Sequence, residues 1–318
     1  MTEIGYSLSS EEFGAHDLVT FARKAEEAGF TFALISDHFH PWIDAQGQSP
    51  FVWSVLGAIA HATDTLKIGT GVTCPTFRIH PAIVAQAAAT VATMMPGRFF
   101  LGVGTGENLN EHITGARWPS LEIRQEMLED AIEVMRTLWD GGLRSYRGRY
   151  FTVENARIYT LPEEPIPVMV AAAGDDSAEL AGRVGDGLIS TAPKHETVET
   201  FEKSGGAGPK YGQLTVCFDH DEARARKTAL TQWPNAGVPG QVTQELPLPN
   251  HFEQAAKAVT EESIAEKVVC GADPEKHLEQ IKAFADAGFD HIYVHQVGPA
   301  QAEFIEFYAS EIIPKLAA

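Results

Sequence analysis

The chain has 318 residues, 44% of them hydrophobic and 21% charged, and 43 acids against 24 Lys and Arg leave a formal charge of −19. This is the composition of a globular protein with a marked acidic excess, and the absence of any Lys/Arg-rich run argues against nucleic acid or an anionic membrane surface as its main partner. The three cysteines, Cys74, Cys217 and Cys270, stand far apart without a CxxC pair. No disulfide framework or cysteine zinc site is therefore expected, and a reducing, cytoplasmic location is. The opening Met1-Thr2-Glu3-Ile4-Gly5-Tyr6 lacks the basic and apolar regions of a signal peptide, and no run of about 18 apolar residues predicts a membrane span.

Short apolar runs alternate with amphipathic stretches from end to end. Ile4–Leu8 predicts the first strand and Ala15–Gly29 the first helix, which stops at Glu27-Ala28-Gly29-Phe30, a glycine feeding directly into a strand. Strands at Phe32–Asp37, Leu66–Val72 and Arg98–Thr105 follow, trailed by helices at Phe51–Thr63, Pro81–Met95 and Leu121–Gly141, with Pro81 suited to a first turn. After a hairpin signal at 143–162 come strand Pro167–Ala173, helix Asp176–Val184, strand Gly187–Ala192 and helix His195–Lys203. Gln213–Phe218 then leads into a divided helical region from Asp221 to Gly288, with a Pro-, Gly- and Gln-rich excursion at 233–250. A second stop, Asp286-Ala287-Gly288-Phe289, precedes the last strand, His291–Val297, and the last helix, Pro299–Ala318. The acidic clusters at 26–27, 126–130 and 261–266 read as solvated faces, and Trp139 as part of an apolar helix face.

Eight strands, each followed by helix, predict an α/β fold of the (β/α)8 TIM-barrel type better than an open doubly wound sheet. The open sheet would want a dinucleotide fingerprint, and Gly102-Val103-Gly104-Thr105-Gly106-Glu107 carries Glu where the third glycine belongs. The whole chain, 1–318, is read as one barrel domain with insertions at 143–162 and 233–250.

Catalytic groups of a barrel sit on the loops after the strands. The second loop, Ser36-Asp37-His38-Phe39-His40-Pro41-Trp42, holds acid/base groups beside an aromatic wall, or else a capping Asp37 with surface histidines. No third ligand or HExxH helix accompanies His38 and His40, so no metal is expected. The third loop, Gly71-Val72-Thr73-Cys74-Pro75-Thr76-Phe77-Arg78, offers small groups to a planar ring or forms a plain turn. In the fourth, Gly104-Thr105-Gly106-Glu107-Asn108, Glu107 is either a partly desolvated acid or a solvated loop carboxylate. The fifth and sixth loops, ending in Ala173-Gly174-Asp175-Asp176 and Thr191-Ala192-Pro193-Lys194, each lead into a helix N-terminus able to hold a phosphate, and Lys194 makes the sixth the better anion candidate.

Taken together these loops resemble the luciferase-like flavin and deazaflavin superfamily, in the group related to coenzyme F420-dependent glucose-6-phosphate dehydrogenase. The resemblance rests on the second and third loops as quoted, Pro81-Ala82-Ile83-Val84-Ala85-Gln86, and Pro96-Gly97-Arg98 running on to Leu101-Gly102-Val103-Gly104-Thr105-Gly106-Glu107-Asn108-Leu109-Asn110-Glu111. Gly185-Asp186-Gly187 and Ala287-Gly288-Phe289-Asp290-His291 extend it, and it covers essentially the whole chain, most weakly at 195–260.

The resemblance implies a barrel with the deazaflavin ring of coenzyme F420 in its mouth and a hydride passing between a substrate carbon and ring C5. It implies that His38 takes the alcohol proton, that Trp42 packs over the reacting centre, and that Glu107 is an acid near ring N1, with Glu11 an acidic residue near the same site. Asp37, Val72, Cys74, Thr105, Gly106, Asn110, Ala173 and Gly174 would contact the cofactor. Cys74 stands where the group has Thr, and Ala173 where it has Gly. The Gly71-Val72 join matches a bulge containing a non-prolyl cis peptide. Of the residues that hold a sugar phosphate in the group, Thr191 and Lys194 match, Lys267 replaces Arg beside Glu266, and the remaining Lys falls near Thr243. These readings predict a dehydrogenase acting on a small-molecule substrate, a sugar phosphate held with relaxed specificity. The alternatives are a dehydrogenase of non-phosphorylated alcohols, an FMN-dependent monooxygenase and a noncatalytic flavin-binding protein. Homodimers are common among such barrels, though no stripe in the sequence demonstrates one.

Overall fold

The computed structural model describes residues 2–238 and 240–317. Met1, Pro239 within the predicted 233–250 excursion, and Ala318 at the end of the predicted last helix lie outside the described residues. The strands are β1 (Glu3–Leu8), β2 (Phe32–Ile35), β3 (Lys67–Thr70), β4 (Phe99–Val103), β5 (Arg144–Arg147), β6 (Thr152–Ala156), β7 (Val168–Ala171), β8 (Gly187–Ser190), β9 (Lys210–Cys217), β10 (Val269–Cys270) and β11 (His291–Gln296). Parallel pairing runs β1-β2-β3-β4-β7-β8-β9-β11 and returns to β1, so eight strands close a barrel. The two-residue β10 adds to β9 beyond the end of β8, and β5 and β6 form an antiparallel hairpin at the predicted place.

Short strands such as Phe32-Ala33-Leu34-Ile35 and Phe99-Phe100-Leu101-Gly102-Val103 are buried along their whole length because the barrel interior covers one face and helices the other. Inside lie Phe32, Leu34, Phe100, Met169, Ile189, Tyr211 and Tyr293. Outside, helices bury one stripe each, as Ala15–Glu27 does with Leu18, Ala22 and Ala25. Both predicted helix stops form. Gly29 and Gly288 take φ of +92° and +104°, and the N–H of Phe30 and of Phe289 donates back to Ala25 and Phe284 at 3.0 and 3.1 Å.

Gly102 sits at a tight point of the barrel wall. A Cβ there would stand 1.9 Å from the Thr70 carbonyl oxygen and 2.9 Å from Ile189 Cδ1. Gly102→Ala is expected to cost about 2–3 kcal/mol by overpacking, read as a lowered midpoint of urea unfolding.

Three local expectations are corrected. The seventh barrel strand begins at Lys210 instead of Gln213, because Tyr211 turns inward and stacks on Phe100 at 4.9 Å. The fifth helix begins at Asp175, with Gly174 as its N-cap. The acidic clusters are not all solvated faces. Buried Asp130 accepts the Tyr146 hydroxyl and the N–H groups of Tyr150 and Phe151, at 2.7 and 3.0 Å for the latter two, so it anchors the hairpin. Glu26 accepts the N–H groups of Asp64 and Leu66 at 3.0 and 2.7 Å, ahead of β3.

Candidate active site

The loops after β1, β2, β3 and β4 converge at one end of the barrel. Directly after β1 the chain presents Glu11, 3% exposed, whose Oε2 accepts the hydroxyls of Ser36 at 2.5 Å and Ser9 at 3.1 Å. Its Oε1 lies 3.3 Å from Nε2 of His38, which follows β2. Burial alone would raise the Glu11 pKa, but the His38 imidazole and the Ser36 hydroxyl outweigh it and hold the carboxyl below its ordinary value. The other ring nitrogen, Nδ1, lies 3.1 Å from both the Asn110 amide nitrogen and the His40 carbonyl oxygen. Asn110 Oδ1 accepts the N–H groups of Phe39 and His40 at 2.9 and 3.1 Å, so its Nδ2 is the donor and faces both His38 Nδ1 and Glu107 Oε2, the latter at 3.3 Å. Asn110 thus links the imidazole to the half-buried Glu107.

Trp42 packs 5.0 Å from His38 and, on its far side, 5.2 Å edge-to-face against Phe252. Buried Gln46 fixes that ring's backbone. Its Oε1 accepts Trp42 N–H at 2.8 Å, and its Nε2 donates to the Gln232 carbonyl at 2.9 Å, joining the second loop to the segment after β9.

Under this constellation lies a buried cation. Arg78, after β3, donates through Nη2 to Asp37 Oδ1 at 2.8 Å and to the Asp37 carbonyl at 3.2 Å, while Thr73 donates to Asp37 Oδ2 at 2.8 Å. Both oxygens of Asp37 are therefore held from below. Cys74 is buried with Sγ 3.1 Å from the Thr76 hydroxyl, and burial pushes its thiol well above the ordinary range, with Glu111 adding to the effect. It serves the site as a neutral, weakly polar group. Gly106, at φ +77°, lies over it: a Cβ there would be 2.7 Å from Cys74 Sγ. Half-buried Thr105 and Val72 border the same turn, Val72 packing on the barrel-interior cluster, and the Gly71-Val72 peptide is cis as the resemblance implied.

The remaining predicted residues lie along the rim. Ala173 and Gly174 are exposed after β7, their N–H groups each 3.2 Å from the Ser177 hydroxyl oxygen, and a Cβ at Gly174 would meet nothing within 4 Å. Thr191 and Lys194 follow β8, and Lys267 precedes β10; all three are exposed, and neither lysine enters an ion pair among the described residues. β11 runs along one side of β9, while β8 pairs with it at Lys210–Gly212 and β10 at Val216–Cys217. The register therefore lines the Thr191–Lys194 loop and Lys267 along the same side of β9.

Sequence reasoning did not assign roles to Arg78, Glu111, Gln46, or a second imidazole–carboxylate pair, His295 Nε2 and Glu12 Oε2 at 3.3 Å. Only the Glu11-Glu12 dipeptide and the apolar strand interrupted by His295 could have hinted at that pair.

A family model described as luciferase-like monooxygenase matches residues 1–291. The chain belongs to the luciferase-like family. Within that family it is 36% identical over 328 residues to an F420-dependent glucose-6-phosphate dehydrogenase of Segniliparus rotundus, covering 99% of this chain and 98% of that protein. One from Nocardia farcinica is likewise 36% identical, with 99% and 98% covered. Among solved structures, an F420-dependent secondary alcohol dehydrogenase in complex with an F420-acetone adduct superposes with a TM-score of 0.91 at 33% identity, covering 98% of each chain. The luciferase-like barrel seen here is thus shared with enzymes named for both phosphorylated and simple alcohols. No helix among the described residues is long and apolar enough to cross a membrane.

Proposed function

We propose that this luciferase-like protein is a coenzyme F420-dependent dehydrogenase that removes a hydride from the alcohol carbon of a sugar phosphate, glucose 6-phosphate or a related sugar. The observation that carries the reading is the Glu11–His38–Asn110–Glu107 chain, with spacings of 3.3, 3.1 and 3.3 Å, at the mouth of a barrel whose relatives bear that name. The residues suit a planar ring. Val72 supplies an apolar support, Gly106 presents bare backbone over Cys74, and Thr105 and Glu107 offer polar groups at the edge.

When bound, the deazaflavin supplies the carbon, C5, that accepts the hydride. The chain's own residues handle the proton. His38 is placed to take it from the substrate hydroxyl, and the imidazolium so formed is balanced by the Glu11 carboxylate beside Nε2 and the His40 carbonyl beside Nδ1. Asn110 orients the imidazole, Trp42 closes one side of it against water, and Glu107 offers a proton at the ring edge. Ala173 and Gly174 would border the cofactor at the rim, where a Cβ at Gly174 would meet nothing within 4 Å. Thr191, Lys194 and Lys267 would meet the substrate phosphate, with Thr243 and Glu266 making that site less cationic than in glucose-6-phosphate-specific members of the group.

Lys194→Ala is expected to raise the KM for glucose 6-phosphate about tenfold, with little change for glucose, in a steady-state assay of deazaflavin reduction. Equal turnover of the two sugars and no loss in the variant contradict the sugar-phosphate reading. They would favour a non-phosphorylated alcohol, a second reading supported by the apolar packing around Trp42 and by the alcohol dehydrogenase likeness. We read 1–318 as one barrel domain with two excursions, and three buried free cysteines as suited to the cytoplasm.

A further inference from the structure

We infer that Glu111 is a positioning residue that also stores a proton: seated beneath the Gly106–Glu107 turn and braced by Arg78, it binds one proton as an anionic cofactor enters the barrel mouth. The inference rests on the deazaflavin reading above.

Glu111 is 2% exposed and stands at the end of the short helix that begins at Asn108. Its Oε2 accepts the Arg78 backbone N–H at 3.0 Å, and a Cβ at Gly106 would lie 2.9 Å from its Cγ. It therefore packs closely against the glycine turn that leads to Glu107.

The charges around it do not balance. Asp37 faces it from the second loop, Arg78 and Cys74 from the third, and Glu107 from its own. One guanidinium thus serves two buried carboxylates, Asp37 and Glu111, with Glu107 a third acid nearby and the Cys74 thiol neutral. Arg78 gives Asp37 two hydrogen bonds, and its link to the Glu111 side chain is a 3.7 Å contact from Nε. Nε is itself buried and without a hydrogen-bond partner. Asp37 is the better-held charge, so a proton added to the cluster goes to Glu111. Burial, opposed by Arg78 and aided by Asp37 and Glu107, raises the Glu111 pKa to about 7. The carboxyl is neutral below that pH and charged above it, and a ligand carrying negative charge into the mouth shifts the balance further towards the neutral form. The proton comes from solvent, and no bond to carbon is made or broken.

The experiment is titration calorimetry of coenzyme F420 into the apoprotein between pH 7 and 9, in two buffers of different ionisation enthalpy, for wild type and Glu111→Gln. The wild type is expected to take up more protons per cofactor than the variant at pH 8, with about one as the upper limit. Its Kd should rise relative to the variant's by up to tenfold per pH unit above 7. Glu111→Asp should restore part of the proton uptake, which a purely structural role does not predict. Equal proton counts in wild type and Glu111→Gln overturn the inference while leaving the cofactor reading intact. If the variant does not fold, zero uptake by the wild type across the range overturns it just as well. Failure of the wild type to bind coenzyme F420 at any pH overturns the deazaflavin reading itself, and this inference with it.

Discussion

Replacing His38 by alanine is expected to lower kcat by about 10²- to 10⁴-fold while changing cofactor affinity only a few-fold, measured by steady-state kinetics and fluorescence titration. The size follows from what the imidazole does in this setting. An alcohol cannot give up a hydride without also losing its hydroxyl proton, and among the groups around Trp42 the imidazole is placed to take it. Its Nε2 faces an ionised carboxylate and its Nδ1 a carbonyl oxygen, so the cation formed on proton transfer is held at both ends. The Glu11 pKa is depressed, so its contribution to stability is present above the ordinary carboxylate range and is lost as pH falls through its lowered value in the fold. Near neutral pH Glu11 is therefore charged, and activity in that range should not fall through titration of Glu11. A His38→Ala enzyme of wild-type kcat would assign the base elsewhere, and His295, paired with Glu12, would be the next residue to test.

Arg78→Met is expected to destabilise the protein by about 3–5 kcal/mol, read by urea unfolding at pH 7.5. The loss comes chiefly from what remains behind. Asp37 is 4% exposed and would keep its Thr73 hydrogen bond but lose the guanidinium that neutralises it. The double variant Asp37→Asn, Arg78→Met should recover part of the loss, since it removes the stranded charge as well as the pair. Additive losses in the double variant would show that the two side chains act separately, against the contact the geometry shows.

How much of this could be read from residues alone depends on how far apart the partners lie. Strands whose runs are apolar throughout, such as Phe99–Val103, announce themselves locally, as do the glycine stops at Gly29 and Gly288. The hairpin at 143–162 was legible from its turn, but its anchor Asp130 was not, because an acid on a helix looks solvated until the chain that covers it is in place. The same holds for the site. His38 and Glu107 could be singled out because a barrel puts loop residues at one mouth, and Glu11 through the family resemblance. Arg78 could not, since its partner Asp37 lies 41 positions earlier, and the carbonyl that holds Gln46 lies 186 positions later. Long-range hydrogen bonds of this kind leave no periodicity behind. Where the strand limits missed, as at Lys210, the deciding factor was the inward turn of Tyr211, set by stacking on Phe100 across the barrel.

The central claim is that the barrel mouth holds a deazaflavin and passes it a hydride from an alcohol. The most direct measurement is a paired titration with coenzyme F420 and FMN, followed by anaerobic incubation of the F420 complex with glucose 6-phosphate deuterated at the anomeric carbon. The account predicts binding of F420 in preference to FMN, bleaching of the deazaflavin absorbance, and deuterium at its C5. Tight FMN binding with no F420 binding, or reduction without deuterium transfer, would contradict it.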